Sequence, residues 1–345
     1  MILGYELPGT GFRDPVRSLV TAAGAAEAGG VDYLVLDDRP AARPAGTGAP
    51  WSMVTAALLA AKTTRVGLVT NAAIAYCEPY HLARTVASLD HISHGRSGWQ
   101  VISEPDPAAD ANHRREGVDP AVDRDARAAE FIPLVQDLWD TWEDGAFIHD
   151  KATGRFIDPA RIHTLTSEGQ VFKVRGPLNV VRPPQGHPVV FAPAADRQLA
   201  PAADVLTVGD PESAATARQA AGSRPVVAVV SPFVAETEAY AHELHARAGA
   251  PASDATRGVV VGDELQVAER LAGWIERGLV DGFTLRFPPS VPLETFTDLV
   301  LPRLRADERL RNEFAAADTL RGRFGLSRPA NRIVERSAAA GTTRG

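Results

Sequence analysis

The side chains best suited to chemistry in this sequence are scattered rather than clustered. Arg286 follows a short apolar run, where an inward guanidinium would pair with an anion. The alternative for Arg286 is an outward position in which its stem packs on the final helix. His81 and His113 belong to the residue type that transfers protons near neutral pH, although solvated or structural histidines are commoner. Trp99 would stack on a planar ring or, as an equal alternative, pack in the core.

Several classes of site and partner are not indicated. The single cysteine, Cys77, permits no disulfide within the chain and no cysteine metal cluster, and we expect it to be a small buried apolar residue. No catalytic triad and no metal-ligand spacing is recognisable, so we predict no metal. The net charge is −7 and the arginines are dispersed, which argues against a nucleic-acid partner.

Apolar runs alternating with helical segments must position these side chains. The predicted strands are Ile2–Leu7, Asp32–Asp37, Arg65–Asn71, Ser97–Ile102, Pro188–Ala192, Asp204–Val208, Pro225–Val230 and Gly282–Phe287. The predicted helices are Val16–Ala28, Ser52–Lys62, Tyr80–Leu89, Ala126–Trp142, Glu212–Ala220, Glu236–Ala248, Leu265–Arg277 and Leu293–Leu304. The order is therefore strand then helix, repeated.

The strand runs are continuously apolar, as in YLVLDD and VVAVVSP, which is typical of parallel strands covered on both faces. Eight such strands with helical crossovers predict an α/β fold, a (β/α)8 TIM barrel whose reactive groups lie at the carboxyl ends of the strands. A doubly wound open sheet is the alternative. We expect one barrel domain over residues 1–333.

Some segments depart from the regular alternation. Residues 106–123 are polar and irregular, and residues 145–184 form an excursion with strand-like pieces at Arg155–Ile157 and Gln170–Val174. We expect both to be loops over the barrel mouth. Residues 192–203 are too few for a usual crossover helix, and residues 334–345 are predicted to form a flexible tail.

The sequence contains no apolar run of membrane-spanning length. Met1–Pro8 lacks the basic start and apolar segment of a secretory signal. We therefore expect a cytoplasmic protein with no membrane partner.

A set of sequence blocks extends over nearly the whole chain. They are Tyr76-x-Glu78-Pro79-Tyr80-His81-Leu82-Ala83-Arg84, Ala87-Ser88-Leu89-Asp90-His91, Gly95-Arg96-x-Gly98-Trp99, Leu138-Trp139-Asp140-x-Trp142-Glu143-Asp144, Phe172-x-Val174-x-Gly176-Pro177-Leu178, Pro184-Gln185-Gly186-x-Pro188, Asp281-Gly282-Phe283 and Arg328-Pro329-x-Asn331-Arg332. In this order and spacing they resemble the bacterial luciferase-like flavin-dependent monooxygenases, in the branch of the nitrilotriacetate and dibenzothiophene-sulfone enzymes. The barrel expected of that family agrees with the strand count.

The resemblance implies an oxidoreductase that takes reduced FMN from a separate flavin reductase and uses O₂ to oxygenate a small organic substrate. Because the flavin carries the chemistry, the family needs no protein nucleophile, and we assign no catalytic residue. Pairing into a homodimer or heterodimer is also implied.

Candidate site residues follow from matching positions in the family pattern. Asp38, Asn71 and Gln100 fall on polar strand-end positions beside the flavin, where Asn71 replaces a hydroxyl residue and Gln100 an Asn. For Asp38, a helix N-cap or loop carboxylate is the alternative. The substrate-pocket candidates are Tyr76, Trp99, His113 and Arg286.

The loop after the fifth strand departs from the family pattern. Members of the family read Gln-Ala-Gly-x-Ser-x-x-Gly there, where backbone N–H groups approach the FMN phosphate, and this chain reads Ala192-Pro193-Ala194-Ala195-Asp196-Arg197-Gln198-Leu199. Ala194 and Asp196 fall on the cofactor positions, but Pro193 lacks an N–H group and Asp196 adds negative charge. We expect the usual phosphate grip to be lost.

This loss leaves a second function open, a divergent paralogue without FMN that acts as a partner subunit or in flavin-independent chemistry. A third possibility is the deazaflavin coenzyme F420, used by related families.

Overall fold

A computed structural model describes residues 1–7, 14–38, 41, 50–104, 106–113, 124–248, 258–288, 291–310 and 316–342. Within them the strands are β1 (Ile2–Leu7), β2 (Tyr33–Leu36), β3 (Gly67–Ala73), β4 (Ser97–Ile102), β5 (Phe147–Asp150), β6 (Arg155–Ile157), β7 (Thr166–Glu168), β8 (Lys173–Arg175), β9 (Val189–Pro193), β10 (Val205–Val208), β11 (Val226–Val234), β12 (Val259–Gly262) and β13 (Gly282–Leu285). The helices are α1 (Pro15–Ala28), α2 (Ser52–Lys62), α3 (Pro79–Ile92), α4 (Pro107–His113), α5 (Arg124–Trp139), α6 (Ala214–Ala221), α7 (Glu238–Arg247), α8 (Glu264–Glu276), α9 (Leu293–Leu299), α10 (Leu301–Ala306), α11 (Leu320–Arg323) and α12 (Arg332–Thr342).

Eight parallel strands close a barrel in the order β1, β2, β3, β4, β9, β10, β11 and β13, with β13 pairing back to β1. β12 is a further parallel strand, paired with Ser231–Val234 at the end of β11. The predicted TIM barrel is therefore confirmed, all eight predicted strands belong to its wall, and the open-sheet alternative is excluded.

Alternation along each strand divides the core into two parts. Inside the barrel, Tyr33, Val69 and Phe191 pack with Leu320 and Phe324 and fill the end where the strands begin. Outside the wall, the other strand faces form a larger core with the helices. The carboxyl ends of the strands are left as the mouth.

The bend between α3 and β4 is built around a buried arginine. His94 and Gly95 have positive φ angles of 55° and 85°, which turn the chain sharply. Arg96 is 4% exposed, and its guanidinium donates to the carbonyls of Ala60 and Val66 at 3.0 and 2.8 Å. The bend thus fixes β4 against the end of α2.

The excursion at 145–184 lies elsewhere than expected. It leaves the barrel after α5 and returns to β9, and it contains the hairpins β5–β6 and β7–β8. Just beyond it, Gln185 Nε2 donates to Asp90 Oδ1 at 2.6 Å and to the carbonyl of Ser97, the first residue of β4, at 2.7 Å. The return to β9 is therefore anchored at the closed end of the barrel, while the N–H groups of Gln170 and Phe172 donate to Glu130 in the first half of α5. The excursion thus packs along α5 on the outside of the barrel rather than over the mouth, because α5 carries the chain down the outer wall before the excursion begins.

Three segments outside the regular alternation are the one after β4, the connection between β9 and β10, and the C-terminal segment. Residues 107–113 of the expected irregular segment form α4, and residues 114–123 lie outside the described residues. Strands β9 and β10 are joined by a turn and one 3-10 turn at Ala200–Ala202 with no α-helix, as expected. α12 continues through Thr342, so the expected tail is helical over residues 334–342.

Candidate active site

A cavity of about 350 Å³ opens at the mouth between the ends of β2 and β3, the start of α2 and the helix α4. Its size falls in the lower range of ligand pockets. The walls combine apolar side chains with a few polar groups: Asp38, Trp51, Met53, Asn71, Ala72, Ala73, Tyr76, Cys77, Leu82 and His113. Four of the residues predicted from sequence, Asp38, Asn71, Tyr76 and His113, are thus brought together.

Asp38 lines this cavity and also holds the start of α2. Its Oδ2 accepts hydrogen bonds from the backbone N of Ser52 at 3.1 Å and from Ser52 Oγ at 2.9 Å. A carboxylate at a helix N-terminus satisfies N–H groups that lack partners within the helix. Asp38 therefore caps α2, as the alternative from sequence proposed. It also lies in the cavity wall.

Asn71 is the most deeply placed polar group of the cavity. Its side chain is 8% exposed, and Nδ2 donates to Asp37 Oδ1 at 3.2 Å. Its Oδ1 is buried and has no hydrogen-bond partner among the residues described. A buried acceptor without a donor is costly, which makes this oxygen a contact point for a ligand.

Tyr76 and His113 form one wall of the cavity. Their rings stack with centroids 4.5 Å apart, and the Tyr76 hydroxyl donates to Asp110 Oδ1 at 2.8 Å. Arg124 donates to both oxygens of Asp110, at 3.0 and 3.1 Å. Burial, with the hydrogen bond to Asp110, raises the pKa of Tyr76. The phenol therefore stays protonated at neutral pH, and its proton is directed at Asp110.

Gln100 and Trp99, both predicted site residues, are neighbours on β4 and point to opposite faces of the barrel wall. Gln100 stands beside Asn71 in the β3–β4 register and is half-buried. Trp99 points to the opposite face, where it is fully buried against Phe131 of α5 with ring centroids 6.1 Å apart. The prediction of Trp99 as a substrate-pocket residue is corrected, because strand alternation directs it away from the mouth.

Arg286 lies on the inner side of the mouth, and the outward alternative is wrong. Its Nε and Nη2 donate to the two carboxylate oxygens of Glu6, both at 2.8 Å. This fork-shaped pair bridges the first and last strands of the barrel. The arginine is thus already paired with a carboxylate, which limits its use for a ligand anion.

The loop after β9 uses its own backbone donors. The N–H of Ala194 donates to the Thr207 carbonyl at 2.9 Å, and Asp196 Oδ1 accepts from the N–H groups of Gln198 and Leu199, both at 3.0 Å. Asp196 Oδ2 accepts from Ser103 Oγ at 2.7 Å. Ala194 and Asp196 therefore stay predictions as cofactor contacts, and the structure shows that Asp196 already engages the N–H groups of Gln198 and Leu199.

Sequence reasoning missed Asp37, Ser103 and the cavity role of Cys77. Asp37 follows Tyr33 and Val35 at a spacing of two, which would have indicated an inward position. The Cys77 thiol lines the cavity and lies 3.4 Å from the Ala73 carbonyl. Burial raises the pKa of this thiol to about 12.

The described residues include neither a metal cluster nor a membrane-spanning helix. They contain no group of three or more His, Cys, Asp and Glu side chains arranged to hold a metal ion. Nor does any helix among them have the length and apolar character needed to span a bilayer.

Comparisons with known proteins agree with the barrel. The family model described as luciferase-like monooxygenase matches residues 3–250. Nitrilotriacetate monooxygenase component A of Aminobacter aminovorans is 32% identical over an aligned length of 379 residues, gaps included, and the alignment covers 86% of this chain and 83% of that protein. N-acetyl-S-(2-succino)cysteine monooxygenase of Bacillus subtilis (strain 168) is 31% identical over 369 residues, covering 83% of each chain.

A solved structure supports the same relation in three dimensions. EDTA monooxygenase from Chelativorans sp. BNC1 superposes with a TM-score of 0.80 at 27% identity, over 95% of this chain and 98% of that one. The likeness therefore extends over the barrel and its excursion.

Proposed function

Because the chain belongs to the luciferase-like monooxygenase family and is a flavin-dependent monooxygenase, we propose that it is the oxygenase component of a two-component system. It takes reduced FMN from a separate reductase and uses O₂ to oxygenate a small organic substrate. The observation that carries this proposal is the cavity at the carboxyl ends of β2 and β3, where apolar walls enclose Asn71 Oδ1, a buried acceptor to which no described residue donates.

The residues present fit the flavin ring better than its phosphate. Met53, Leu82 and Ala73 offer apolar surface to a flat ring, and Asn71 Oδ1 offers an acceptor to a ring N–H. At the loop after β9, Asp196 occupies the amides and repels an anion. We infer that the ring supplies most of the binding free energy.

The protein's part in the reaction is to bind, orient and exclude water. The bound flavin supplies the reaction with O₂. The apolar side chains of Met53 and Leu82 keep water from the ring, which prevents wasteful hydrolytic side reactions. Tyr76 is held by Asp110 as a neutral phenol, and the Glu6–Arg286 pair fixes the opposite rim.

The cavity also favours one class of substrate. Its wall contains the carboxylate of Asp38, and none of its described lining residues is Lys or Arg. A polyacid would leave several carboxylates without cationic partners, which is costly in a partly buried site. We therefore propose a neutral or cationic, largely apolar substrate, unlike the polyacids in the names of the nitrilotriacetate and EDTA relatives.

Pairing with a second chain is proposed for the face formed by α2 and α3. A groove of about 290 Å³ runs between these helices, and Ile92 beside it is 50% exposed while Val54 on α2 is 60% exposed. The family resemblance makes a second copy of this chain the expected occupant. Cytoplasmic location stays a prediction from the sequence.

The proposal is tested by flavin reoxidation. The protein is mixed anaerobically with reduced FMN and then with oxygenated buffer, and flavin absorbance is followed. We expect an observed rate constant that changes with protein concentration and saturates. A rate equal to that of free flavin at every protein concentration would contradict the proposal. Tyr240→Ala, an exposed change on α7, is the matched control and should behave as the unmodified protein.

A further inference from the structure

We propose that Asp37 is a positioning residue that fixes the side-chain amide of Asn71, so that Asn71 presents only its carbonyl oxygen to the cavity and accepts a ring N–H of the reduced flavin. This inference rests on the proposed function. It specifies that, at Asn71, the protein accepts the hydrogen bond and the ligand donates it.

The orientation of the amide follows from the chemistry of its partner. Asn71 Nδ2 lies 3.2 Å from Asp37 Oδ1. An ionised carboxylate only accepts hydrogen bonds, so the NH₂ group must face Asp37. Turning the amide over would place its oxygen against a carboxylate oxygen, which is repulsive in a site this buried.

The orientation leaves Oδ1 as the group that needs a partner. This oxygen is buried, the residue is 8% exposed, and no donor reaches Oδ1 within the described part of the chain. Asn71 also belongs to the cavity wall. A ligand that donates an N–H therefore gains a hydrogen bond and removes the cost of the unsatisfied oxygen, whereas a ligand that presents an acceptor there is rejected.

Thr70 provides an internal contrast on the same strand. Its hydroxyl oxygen is likewise buried and unpartnered among the described residues. Strand alternation directs Thr70 to the outer face of the wall, as for its register partner Trp99, and neither residue lines the cavity. Of these two residues, Asn71 is the one that combines an acceptor lacking a partner among the described residues with access to a ligand.

The reduced flavin matches this demand. Its ring carries an N–H at position 3 in both redox states and gains an N–H at position 5 on reduction. The apolar surface of Met53 and Leu82 accepts the flat ring beside the acceptor. If the group at position 5 is the donor, the same oxygen makes the site selective for reduced over oxidised flavin.

The experiment measures dissociation constants by anaerobic titration, with no turnover required. Reduced FMN, reduced 3-methyl-FMN and reduced 5-deaza-FMN are titrated into the unmodified protein, Asn71→Leu, Asp37→Asn and the double variant. Each methylated or deaza analogue lacks one of the two ring N–H groups. Melting temperature and circular dichroism of each variant report its folding.

We expect one analogue to bind the unmodified protein about 10-fold more weakly than reduced FMN, as for a lost hydrogen bond. Asn71→Leu should weaken the binding of reduced FMN by a similar factor. The double variant should bind reduced FMN no more weakly than Asn71→Leu does. Asp37→Asn, which is nearly isosteric, should keep its melting temperature but reduce the discrimination between FMN and that analogue to about 2-fold, because the amide is free to turn.

Equal binding of both analogues to the unmodified protein would overturn the inference and leave the proposed function intact. Unchanged discrimination in a folded Asp37→Asn would do the same, and this variant decides the matter should Asn71→Leu fail to fold. An unmodified protein that binds no reduced FMN up to millimolar concentration would overturn the proposed function and the inference together.

Discussion

At the scale of single residues, Asp196 determines how the flavin can be held. Its carboxylate accepts from two backbone N–H groups of its own loop and from Ser103. These bonds engage loop groups that, by the family resemblance, would face an FMN phosphate, and they hold the loop without a ligand. Negative charge at this point also disfavours an incoming phosphate.

Removing this carboxylate is expected to free the loop for phosphate. In Asp196→Gly, reduced FMN should bind about 5-fold more tightly while reduced riboflavin, which has no phosphate, is unchanged. Leu199 must be retained, because it is fully buried and its loss would cost about 2–5 kcal/mol. Ser103→Ala keeps the carboxylate and is the control; the same gain in Ser103→Ala would contradict this account.

A second prediction at this scale concerns the Cys77 thiol. Burial raises its pKa to about 12, so at pH 8 nearly all of it is the unreactive protonated form. We expect labelling of the native protein by a thiol reagent to be at least about 100-fold slower than labelling in denaturant. The rate is followed by absorbance of the released chromophore. Rapid native labelling at pH 8 would contradict the raised pKa of this half-buried thiol.

At the scale of elements, three of the sequence blocks that carry the family resemblance, at residues 138–144, 184–188 and 328–332, meet at the closed end of the barrel. Arg182 Nε donates to Asp140 Oδ1 and His187 Nε2 lies beside Asp140 Oδ2, both at 2.9 Å. Asn331 Nδ2 donates to the Asp140 carbonyl at 2.9 Å. The excursion and the chain before α12 are thus tied to α5, and these blocks support the fold rather than the mouth.

The carboxylate of Asp140 should make stability depend on pH. Burial alone would raise its pKa, but hydrogen bonding and charge from His187, the Arg332 N–H and Arg182 more than offset this and lower it. A lowered pKa in the folded state stabilises the protein above the unfolded pKa, about 4, and this contribution is lost as pH falls through the folded pKa.

Asp140→Asn is therefore expected to cost about 3 kcal/mol of unfolding free energy at pH 7, with a smaller difference from the unmodified protein below pH about 3.5. Urea unfolding at the two pH values measures it. Glu243→Gln, in an exposed pair with Arg247, is the control and should change stability by no more than about 0.5 kcal/mol. A cost that grows as pH falls would contradict the sign.

The same elements indicate what sequence could and could not predict. Continuous apolar runs located all eight strands of the barrel wall, because parallel strands buried on both faces have few polar positions. The excursion was expected over the mouth but packs along α5, since its position depends on contacts between residues far apart in sequence, such as Gln170 with Glu130 and Gln185 with Asp90. For Trp99 the core-packing alternative is confirmed, and strand alternation would have favoured it over the pocket.

At the scale of the whole molecule, we propose that the mouth of the barrel takes ligands and that the face of α2 and α3 takes a second copy of the chain. Ile92→Asp places a charge on the exposed side of this face. We expect the dimer of the unmodified protein to dissociate at least about 10-fold more readily in this variant, as measured by sedimentation. Leu265→Asp, on the exposed side of α8, is the control. An unchanged dimer in Ile92→Asp would mean that pairing uses another face.

The central claim is that this barrel binds reduced flavin chiefly through the ring. The most direct measurement is a pair of anaerobic titrations of the unmodified protein with reduced FMN and with reduced riboflavin. We predict saturable binding of both, with dissociation constants within about 5-fold of each other. The reason is that the N–H groups of Gln198 and Leu199 in the loop after β9 already donate to Asp196 and are not available to the phosphate. Binding of FMN about 100-fold tighter than riboflavin, or no binding of either at millimolar concentration, would contradict the claim.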